Sequence, residues 1–328
     1  RSCPSGVAVS TLNMLQRGAY YQTHGHSQRD DMLAHGERMA KLVRAMPLGA
    51  KMANWGMKAG KALGVFGTLG LAGKRSMPAY APASFMKLFR KIRQQPCEKK
   101  VVFYPGCFIN DYTPEVGVAF VKVMQRNQIE VLVDPAFNCC GSPMVTTGFL
   151  DEAKQHATNN AARILAWKAQ DIPVVACCTS CSLMLKQEYA ELFAEESMKE
   201  AGTNVYDAFE YLELMQDKGE LDQDFRPVEQ RLLYHVPCHL KSQGIGTPAA
   251  DILRQIPGVQ LELADAGCCG MSGNYGFKKD KYEISMKIGE ALFQRIRDYQ
   301  ADKVICDCGT CRLQINHGTQ AKTCHPRS

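Results

Sequence analysis

The sequence lacks an apolar run long enough to form a membrane-spanning helix. In its most apolar segment the longest uncharged run, Ala62 to Gly73, has 12 residues, well short of the ~20 that cross a bilayer. We expect no secretory leader. A core-rich chain of 328 residues is also unlike the small secreted domains in which 15 cysteines would form a disulfide scaffold. These absences favour reduced thiols and a metal or redox role.

Acidic residues are scarce in one part of the chain. Residues 51–100 contain 11 Lys or Arg but a single acid, Glu98, whereas the whole chain has a formal net charge of +6. Within residues 47–75 the basic residues alternate with Met, Trp, Leu and Gly, as in helices that lie in the membrane interface. A surface that docks on a partner subunit, or a solvated basic face, explains this composition equally well. No nucleic-acid partner is expected, because no recognised binding motif accompanies the charge.

Cysteine is abundant, and ten of the 15 cysteines form one five-cysteine pattern that occurs twice. The first copy consists of Cys107, Cys139, Cys140, Cys178 and Cys181. The second copy consists of Cys238, Cys268, Cys269, Cys308 and Cys311. Corresponding cysteines are 129 to 131 residues apart, and a glycine, Gly141 or Gly270, follows each adjacent pair. The pattern therefore indicates a duplicated unit.

Each copy is predicted to fold as strand, helix, strand, helix, strand, helix. The predicted strands are Val101–Tyr104, Glu130–Val133, Ile172–Ala176, Arg231–Val236, Val259–Leu263 and Lys303–Ile305. Such alternation is typical of an α/β fold with a parallel sheet. We therefore predict two tandem βαβαβα cysteine-rich domains, residues 101–225 and 226–328, after a helical region at residues 1–100 that ends in a linker from residue 76. Because the cysteines come shortly after strands, and parallel strands end at one edge of a sheet, the five thiols of each copy should converge.

Five convergent thiols favour an iron–sulfur cluster over zinc. Structural zinc sites take four ligands, commonly as two short-spaced pairs, whereas this pattern has one such pair, one adjacent pair and a single cysteine. A multi-iron cluster accepts a fifth thiolate when one sulfur bridges two irons. Gly141 and Gly270 would let the backbone turn tightly beside it. A structural zinc module remains the alternative.

The other cysteines receive simpler interpretations. Cys97 and Cys324 are expected to be free thiols outside the repeats, and Cys177 and Cys306 to be small buried residues rather than ligands. His239, next to Cys238, either adjusts a cluster by hydrogen bonding or is an ordinary loop histidine.

The N-terminal Cys3-Pro4 matches the end of the ferredoxin run C-x2-C-x2-C-x3-C-P. In that interpretation Cys3 is a ligand of a cubane cluster whose other ligands precede Arg1, and the chain is part of a longer protein. A lone thiol before a proline turn is the alternative.

The duplicated Cys-Cys-Gly pattern resembles a known cysteine-rich domain. That domain occurs in the B subunit of heterodisulfide reductase, in the iron–sulfur subunits of glycolate and lactate oxidases, and in the C subunit of anaerobic glycerol-3-phosphate dehydrogenase, which the chain resembles most. The segments that carry the resemblance are Cys3-Pro4-Ser5, Gly106-Cys107-Phe108, Pro237-Cys238-His239, Cys268-Cys269-Gly270 and Tyr275-Gly276-Phe277-Lys278-Lys279.

The resemblance implies an electron-transfer and membrane-anchoring subunit of an anaerobic respiratory dehydrogenase. It would take electrons from a flavin-containing subunit, pass them to membrane quinone, and lie peripherally on the cytoplasmic face of the bacterial inner membrane. The ten repeated cysteines would bind 4Fe–4S or noncubane clusters. Substrate chemistry would occur on another subunit, so no catalytic residue is assigned. A disulfide-cleaving enzyme and a glycolate or lactate oxidase subunit are the alternatives.

Overall fold

Two parallel four-stranded sheets, one from each repeat, form the centre of the molecule. The structure is a computed structural model that describes residues 7–326. The strands of the first sheet are β1 (Lys99–Tyr104), β2 (Ile129–Leu132), β3 (Val174–Ala176) and β4 (Val205–Asp207). Those of the second are β5 (Gln230–Tyr234), β6 (Val259–Leu263), β7 (Lys303–Ile305) and β8 (Thr323–Cys324). The predicted α/β fold with two repeats is confirmed.

Helices surround these sheets and fill most of the N-terminal region. The N-terminal helices are α1 (Val9–His24), α2 (Gln28–Ala34), α3 (Gly36–Ala45), α4 (Gly49–Ala62), α5 (Val65–Thr68) and α6 (Phe85–Phe89). The first repeat contains α7 (Gly106–Asp111), α8 (Pro114–Arg126), α9 (Ser142–Thr147), α10 (Leu150–Lys168), α11 (Thr179–Leu183), α12 (Tyr189–Phe193), α13 (Glu196–Gly202) and α14 (Ala208–Asp217). The second contains α15 (Cys238–Gln243), α16 (Pro248–Leu253), α17 (Tyr282–Tyr299) and α18 (Gly309–Thr319). No helix within residues 7–326 is sufficiently long and apolar to span a membrane.

Both sheets have the same strand order, with the first strand of the repeat in the interior. The orders are β2-β1-β3-β4 and β6-β5-β7-β8, with parallel pairing throughout. Val102 pairs with Leu132 on one side and Val174 on the other. In each repeat the second strand lies on one side of the first strand, and the third strand lies on the other side. The carboxyl ends of the first and third strands therefore meet at a switch point in the strand order. Such points are where open α/β sheets place ligands.

The fourth strand of each sheet was not predicted. The strand β4 has three residues and β8 has two, too few to show a hydrophobic period. Tertiary pairing defines them: Val174 pairs with Val205, and Val304 with Thr323.

The two repeats share one hydrophobic core. Phe103 and Val175 of the first sheet belong to the same buried cluster as Leu232, Tyr234 and Ile305 of the second. Separate clusters on the outer side of each sheet contain cysteines of the first and second patterns. The repeats are therefore packed against each other rather than strung along the chain.

Residues 76–100 were predicted to be a linker, and this prediction is wrong for much of the segment. The helix α6 carries Phe85, which is fully buried with its ring 5.1 Å from that of Phe103. The side chain of Gln94 exchanges two hydrogen bonds with the backbone of Val131, at 2.9 and 3.0 Å. Phe85 therefore packs on the inner strand β1 and Gln94 pairs with the outer strand β2, so the segment is part of the fold.

The N-terminal region also contacts the second repeat. The buried carboxylate of Asp30 lies 2.7 Å from the Lys278 ammonium, and Leu71 forms an isolated antiparallel bridge with Lys278. Asn274 donates hydrogen bonds to the carbonyl oxygens of Leu33 and Pro143. The loop that follows the second Cys-Cys-Gly therefore lies between the N-terminal region and the first repeat.

Candidate metal centres

The ten patterned cysteines lie at the carboxyl ends of the inner and neighbouring strands, as predicted. In the first repeat Cys107 is in α7 directly after β1, the adjacent pair follows β2, and Cys178 and Cys181 begin α11 after β3. The second repeat repeats this arrangement with α15 and α18. Because β1 and β3 are neighbours at the switch point, three separate segments bring their thiols to one place.

The thiols of the first site affect one another's ionisation. The sulfurs of Cys107 and Cys139 are 3.8 Å apart. Contact with Cys139, then burial, raises the pKa of Cys107, whereas contact with Cys107 lowers the pKa of Cys139. Cys181 interacts in the same way with Cys140 and Cys178. The structure therefore brings all five thiols together, in an environment where at least one prefers the thiolate form that binds metal.

Aromatic and polar side chains support the backbone of the first site. The Tyr104 hydroxyl donates to the carbonyl oxygen of Asn138 at 2.7 Å, and the Tyr189 hydroxyl to that of Cys140 at 3.0 Å. Asn160 donates to the Tyr189 oxygen at 3.0 Å. Gly141 has the predicted tight-turn conformation, with φ of 80°. The loop that carries Cys139 and Cys140 is thus held from several sides by the protein itself.

The second site is more accessible. Cys238 and Cys268 are exposed, whereas Cys269 and Cys311 are buried with their sulfurs 3.1 Å apart. Hydrogen bonds with Cys238 and Cys269 lower the pKa of Cys268 to about 2, helped by the Gly270 amide at 3.3 Å. This thiolate faces solvent.

Sequence reasoning missed one residue at the second site, His235. Its ring lies with the sulfurs of Cys306 and Cys311, and the three donor atoms are within 4.8 Å of one another. Burial lowers the pKa of His235 to about 4, so the ring is neutral near pH 7 and able to donate an electron pair. The available signal was a histidine directly after β5, at the strand end where the cysteines converge. The first repeat has Pro105 at the corresponding place after β1. Cys306 is fully buried, as expected.

The two sites are close to each other across the interface between the repeats. Ser180, inside the first C-x2-C, lies 2.6 Å from Nδ1 of His239. The pKa of Cys178 is lowered chiefly by contact with Cys181, but the negative charge of Cys308 in the other site opposes this shift. On the symmetry-related side the Phe108 ring packs so closely on Gly309 that no Cβ would fit. His239, in α15, therefore lies between the two sites with its ring hydrogen-bonded to Ser180, and a role for it at a cluster stays a prediction.

Apart from Cys306, which lies with His235 and Cys311, the cysteines outside the two patterns have separate surroundings. No disulfide joins any of the 14 cysteines within residues 7–326. Cys97 contacts the backbone of Gln95 at 3.4 Å, and Cys324 is in β8. Cys177 is buried, and its carbonyl oxygen lies 3.0 Å from Nε2 of His325. Cys3 lies outside the described residues, so its predicted role stays a prediction.

These donor sets fit iron–sulfur clusters. Each site offers five thiols from three segments, with a tight glycine turn beside the adjacent pair. Thiolate sulfur is the donor that iron–sulfur clusters require. Oxygen-rich donor sets, which suit calcium or magnesium, are not found among these converging residues.

Comparison with known proteins also indicates an iron–sulfur protein. The family model of the cysteine-rich domain CCG matches residues 101–186 and 232–316. The C subunit of anaerobic glycerol-3-phosphate dehydrogenase from Escherichia coli K12 is 32% identical over 98% of this chain and 81% of that protein. The B subunit of fumarate reductase (CoM/CoB) from Methanothermobacter marburgensis is 33% identical over 66% of this chain and 41% of that protein. An uncharacterized iron-sulfur protein of Methanocaldococcus jannaschii is 29% identical over 66% of this chain and 41% of that protein.

The matched ranges contain both five-cysteine patterns, and the similarity to the glycerol-3-phosphate dehydrogenase protein extends through the N-terminal helices. Iron–sulfur clusters are therefore the cofactors of this protein. The chain belongs to the family that contains the C subunit of anaerobic glycerol-3-phosphate dehydrogenase, iron–sulfur proteins built on two cysteine-rich CCG domains.

Proposed function

We propose that this chain is the electron-transfer and membrane-anchoring subunit of an anaerobic respiratory glycerol-3-phosphate dehydrogenase. It would accept electrons from a flavin-containing partner subunit and pass them to membrane quinone. The ten patterned cysteines would be the ligands of its clusters, and residues 101–225 and 226–328 its two cluster domains. Substrate oxidation would take place on the partner.

The observation that carries this proposal is the arrangement of the two cysteine sites. They face each other across the repeat interface, where the charge of Cys308 acts on Cys178, and only the second has exposed thiols. Two neighbouring redox centres, of which the second is the more exposed, suit the relay of electrons. The protein's contribution would be to hold the clusters and to set their potentials through burial, hydrogen bonds and charge.

The helix α4 supports the membrane-anchoring part of the proposal. Met52 and Trp55, at i and i+3 in α4, are 61% and 73% exposed and lie on one apolar face. Leu48, directly before the helix, is 69% exposed. The exposed Lys51 and Lys58 lie beside this face. An apolar face next to lysines is the arrangement of a helix that lies in the interface of an anionic membrane.

Electron acceptance can be tested with a full-length, anaerobically reconstituted protein. Its clusters should become reduced when the flavin subunit and glycerol 3-phosphate are added together, and not when either is omitted. Lactate and glycolate, each offered with its own dehydrogenase, are the matched comparisons. Failure of fully loaded clusters to accept electrons from the glycerol-3-phosphate system would reject the assignment.

Membrane binding can be tested by flotation with vesicles that contain anionic lipid. The double variant Lys51→Glu and Lys58→Glu should float much less than the unchanged protein, because each lysine near the surface contributes about 1 kcal/mol. The control is Lys199→Glu with Lys218→Glu, two exposed lysines outside α4. Equal flotation of all three proteins would remove the anchoring role from α4.

Disulfide reduction is a second candidate, and the exposure of Cys238 and Cys268 favours it. An open site could admit a disulfide, whose cleavage to two thiols takes two electrons and two protons. Disulfide turnover by the reduced protein without any other subunit would support this candidate over the relay.

A further inference from the structure

The second site has a buried cation that lacks an acidic partner. Arg75, in the segment after α5, is 2% exposed. Its guanidinium donates to the carbonyl oxygen of Gly276 at 2.7 Å, to the side-chain oxygen of Gln314, and to the sulfur of Met286 at 3.6 Å. It also lies over the Tyr282 ring, 5.2 Å from the centroid. All these partners are uncharged.

The positive charge of a buried arginine without a carboxylate partner requires negative charge from another source. Moving a charged group out of water costs several kcal/mol even after relaxation, and buried charges are normally paired. Arginine does not escape this cost by losing its proton. Within residues 7–326 no carboxylate lies within ion-pair distance of Arg75, although other basic residues there form such pairs.

The second cysteine site is close enough for its charge to act on Arg75. Burial lowers the pKa of Arg75, whereas a thiolate at Cys269 acts in the opposite direction. A chain of buried polar groups also joins the two. Gln314, which accepts from Arg75, donates to the Ser285 hydroxyl at 3.3 Å, and that hydroxyl donates to the carbonyl oxygen of Gly270 at 2.7 Å.

The first site is built differently at the corresponding positions. The repeat offsets place Met184 where the second repeat has Gln314, and His156 where it has Ser285. Met184 is fully buried and apolar. The arginine beside the first site, Arg44, forms an ion pair with Asp111, so its charge is already compensated.

We propose that Arg75 is the internal counter-ion of the second cluster and makes that cluster easier to reduce. An added electron makes a thiolate-ligated cluster more negative, and a fixed cation in a dry environment stabilises that state. Because Arg75 belongs to the N-terminal region, this region would adjust the second cluster without supplying a ligand. The inference rests on the proposed assignment of the second five cysteines as a cluster site.

The test is a potentiometric titration of the reconstituted chain followed by EPR. The signal of the second cluster is first identified as the one lost in Cys269→Ser. In Arg75→Met the reduction equilibrium of that cluster should become at least tenfold less favourable, which is about 59 mV for one electron. Arg75→Lys, which keeps the charge, should restore most of the difference. The midpoint of the first cluster should not change.

Further variants separate charge from packing. Gln314→Met places the residue of the first repeat in the second and keeps Arg75, so it should shift the midpoint less than Arg75→Met does. Arg126→Met removes an exposed arginine paired with Asp222 and should have no effect. If Arg75→Met does not fold, Arg75→Gln removes the charge but keeps a donor for the Gly276 carbonyl.

Failure of the Arg75 proposal can be told apart from failure of the cluster assignment. An unchanged midpoint in a neutral variant with full iron content would overturn the proposal, as would an equal shift of both clusters. Failure of both neutral variants to fold would make Arg75 a structural residue and would also overturn it. Absence of iron from the second site of the unchanged protein would instead reject the assignment of that site.

Discussion

The two cysteine sites have the same five-cysteine pattern but different surroundings. In the first site no cysteine is exposed, and Tyr104, Tyr189 and Asn160 hold its loops by hydrogen bonds. The second exposes Cys238 and Cys268 and has a buried arginine nearby. Reduction potential and access depend on burial, hydrogen bonding and charge as much as on ligands. The two copies therefore share their cysteine pattern but differ in surroundings, and exposed cysteines occur only in the second.

The largest expected effect is the loss of iron and sulfide from one site while the other site keeps its own. Replacing Cys269 by Ser should remove the iron and sulfide of the second site only, leaving about half of the total, and Cys140→Ser should do the converse. Iron, sulfide and zinc analysis of anaerobically purified protein, with EPR, measures this. Cys97→Ser, outside both patterns, is the control and should lose nothing. Zinc without sulfide in the unchanged protein would contradict the cluster assignment.

A second effect concerns the ion pair that ties the N-terminal region to the second repeat. Asp30 is 1% exposed, and Asp30→Asn would leave Lys278 without its carboxylate. Removal of one partner of a buried pair costs about 3 to 5 kcal/mol. Denaturant unfolding should show this loss in the free energy of unfolding. Asp280→Asn, at an exposed carboxylate 3.0 Å from Arg29, should cost less than about 1 kcal/mol.

The same pair predicts an acid dependence. Burial acts to raise the pKa of Asp30, but hydrogen bonds from Lys278 and Arg29 outweigh it and lower the pKa to about 2. An unfolded aspartate titrates near pH ~3.9. The stabilisation is therefore present above about pH 4 and is lost as the pH falls toward 2. Unfolding measured across this range should show a smaller loss in Asp30→Asn than in the unchanged protein.

A smaller effect should appear in the metal-free protein. Cys268 is exposed with a strongly lowered pKa, whereas Cys140 is 2% exposed with a raised one. Because the thiolate is the nucleophile, iodoacetamide should modify Cys268 more than tenfold faster. Mass spectrometry of peptides after timed labelling gives both rates, and loading with clusters should protect both residues. Equal rates would mean that the two sites do not differ in access.

The smallest effect is expected at Cys306, whose replacement should leave the iron content of both sites unchanged. Cys306 lies with His235 and Cys311, but the first repeat has Ala176 at the corresponding position. If the five patterned cysteines are the full ligand set, Cys306→Ala keeps the iron of both sites. Loss of iron from the second site alone would show that Cys306 is a ligand and that the two sites differ in composition as well as surroundings.

Sequence reasoning predicted the repeats and the inner strands because their signals are local and repeated. The strands Val259–Leu263 and Lys303–Ile305 have the predicted bounds. Elements whose stability comes from distant contacts were missed. The strand β8 is too short to show a pattern, and Phe85 is buried in a segment whose prolines and charges resemble a linker.

The sequence by itself determined the convergence of the thiols, since cysteines placed after parallel strands must meet at one edge of the sheet. Only the tertiary structure decided how the sites differ. Exposure at Cys238, the contact of Ser180 with His239, and the burial of Arg75 all depend on residues distant in sequence. No local pattern records how one repeat packs on the other, or which N-terminal side chains reach each site.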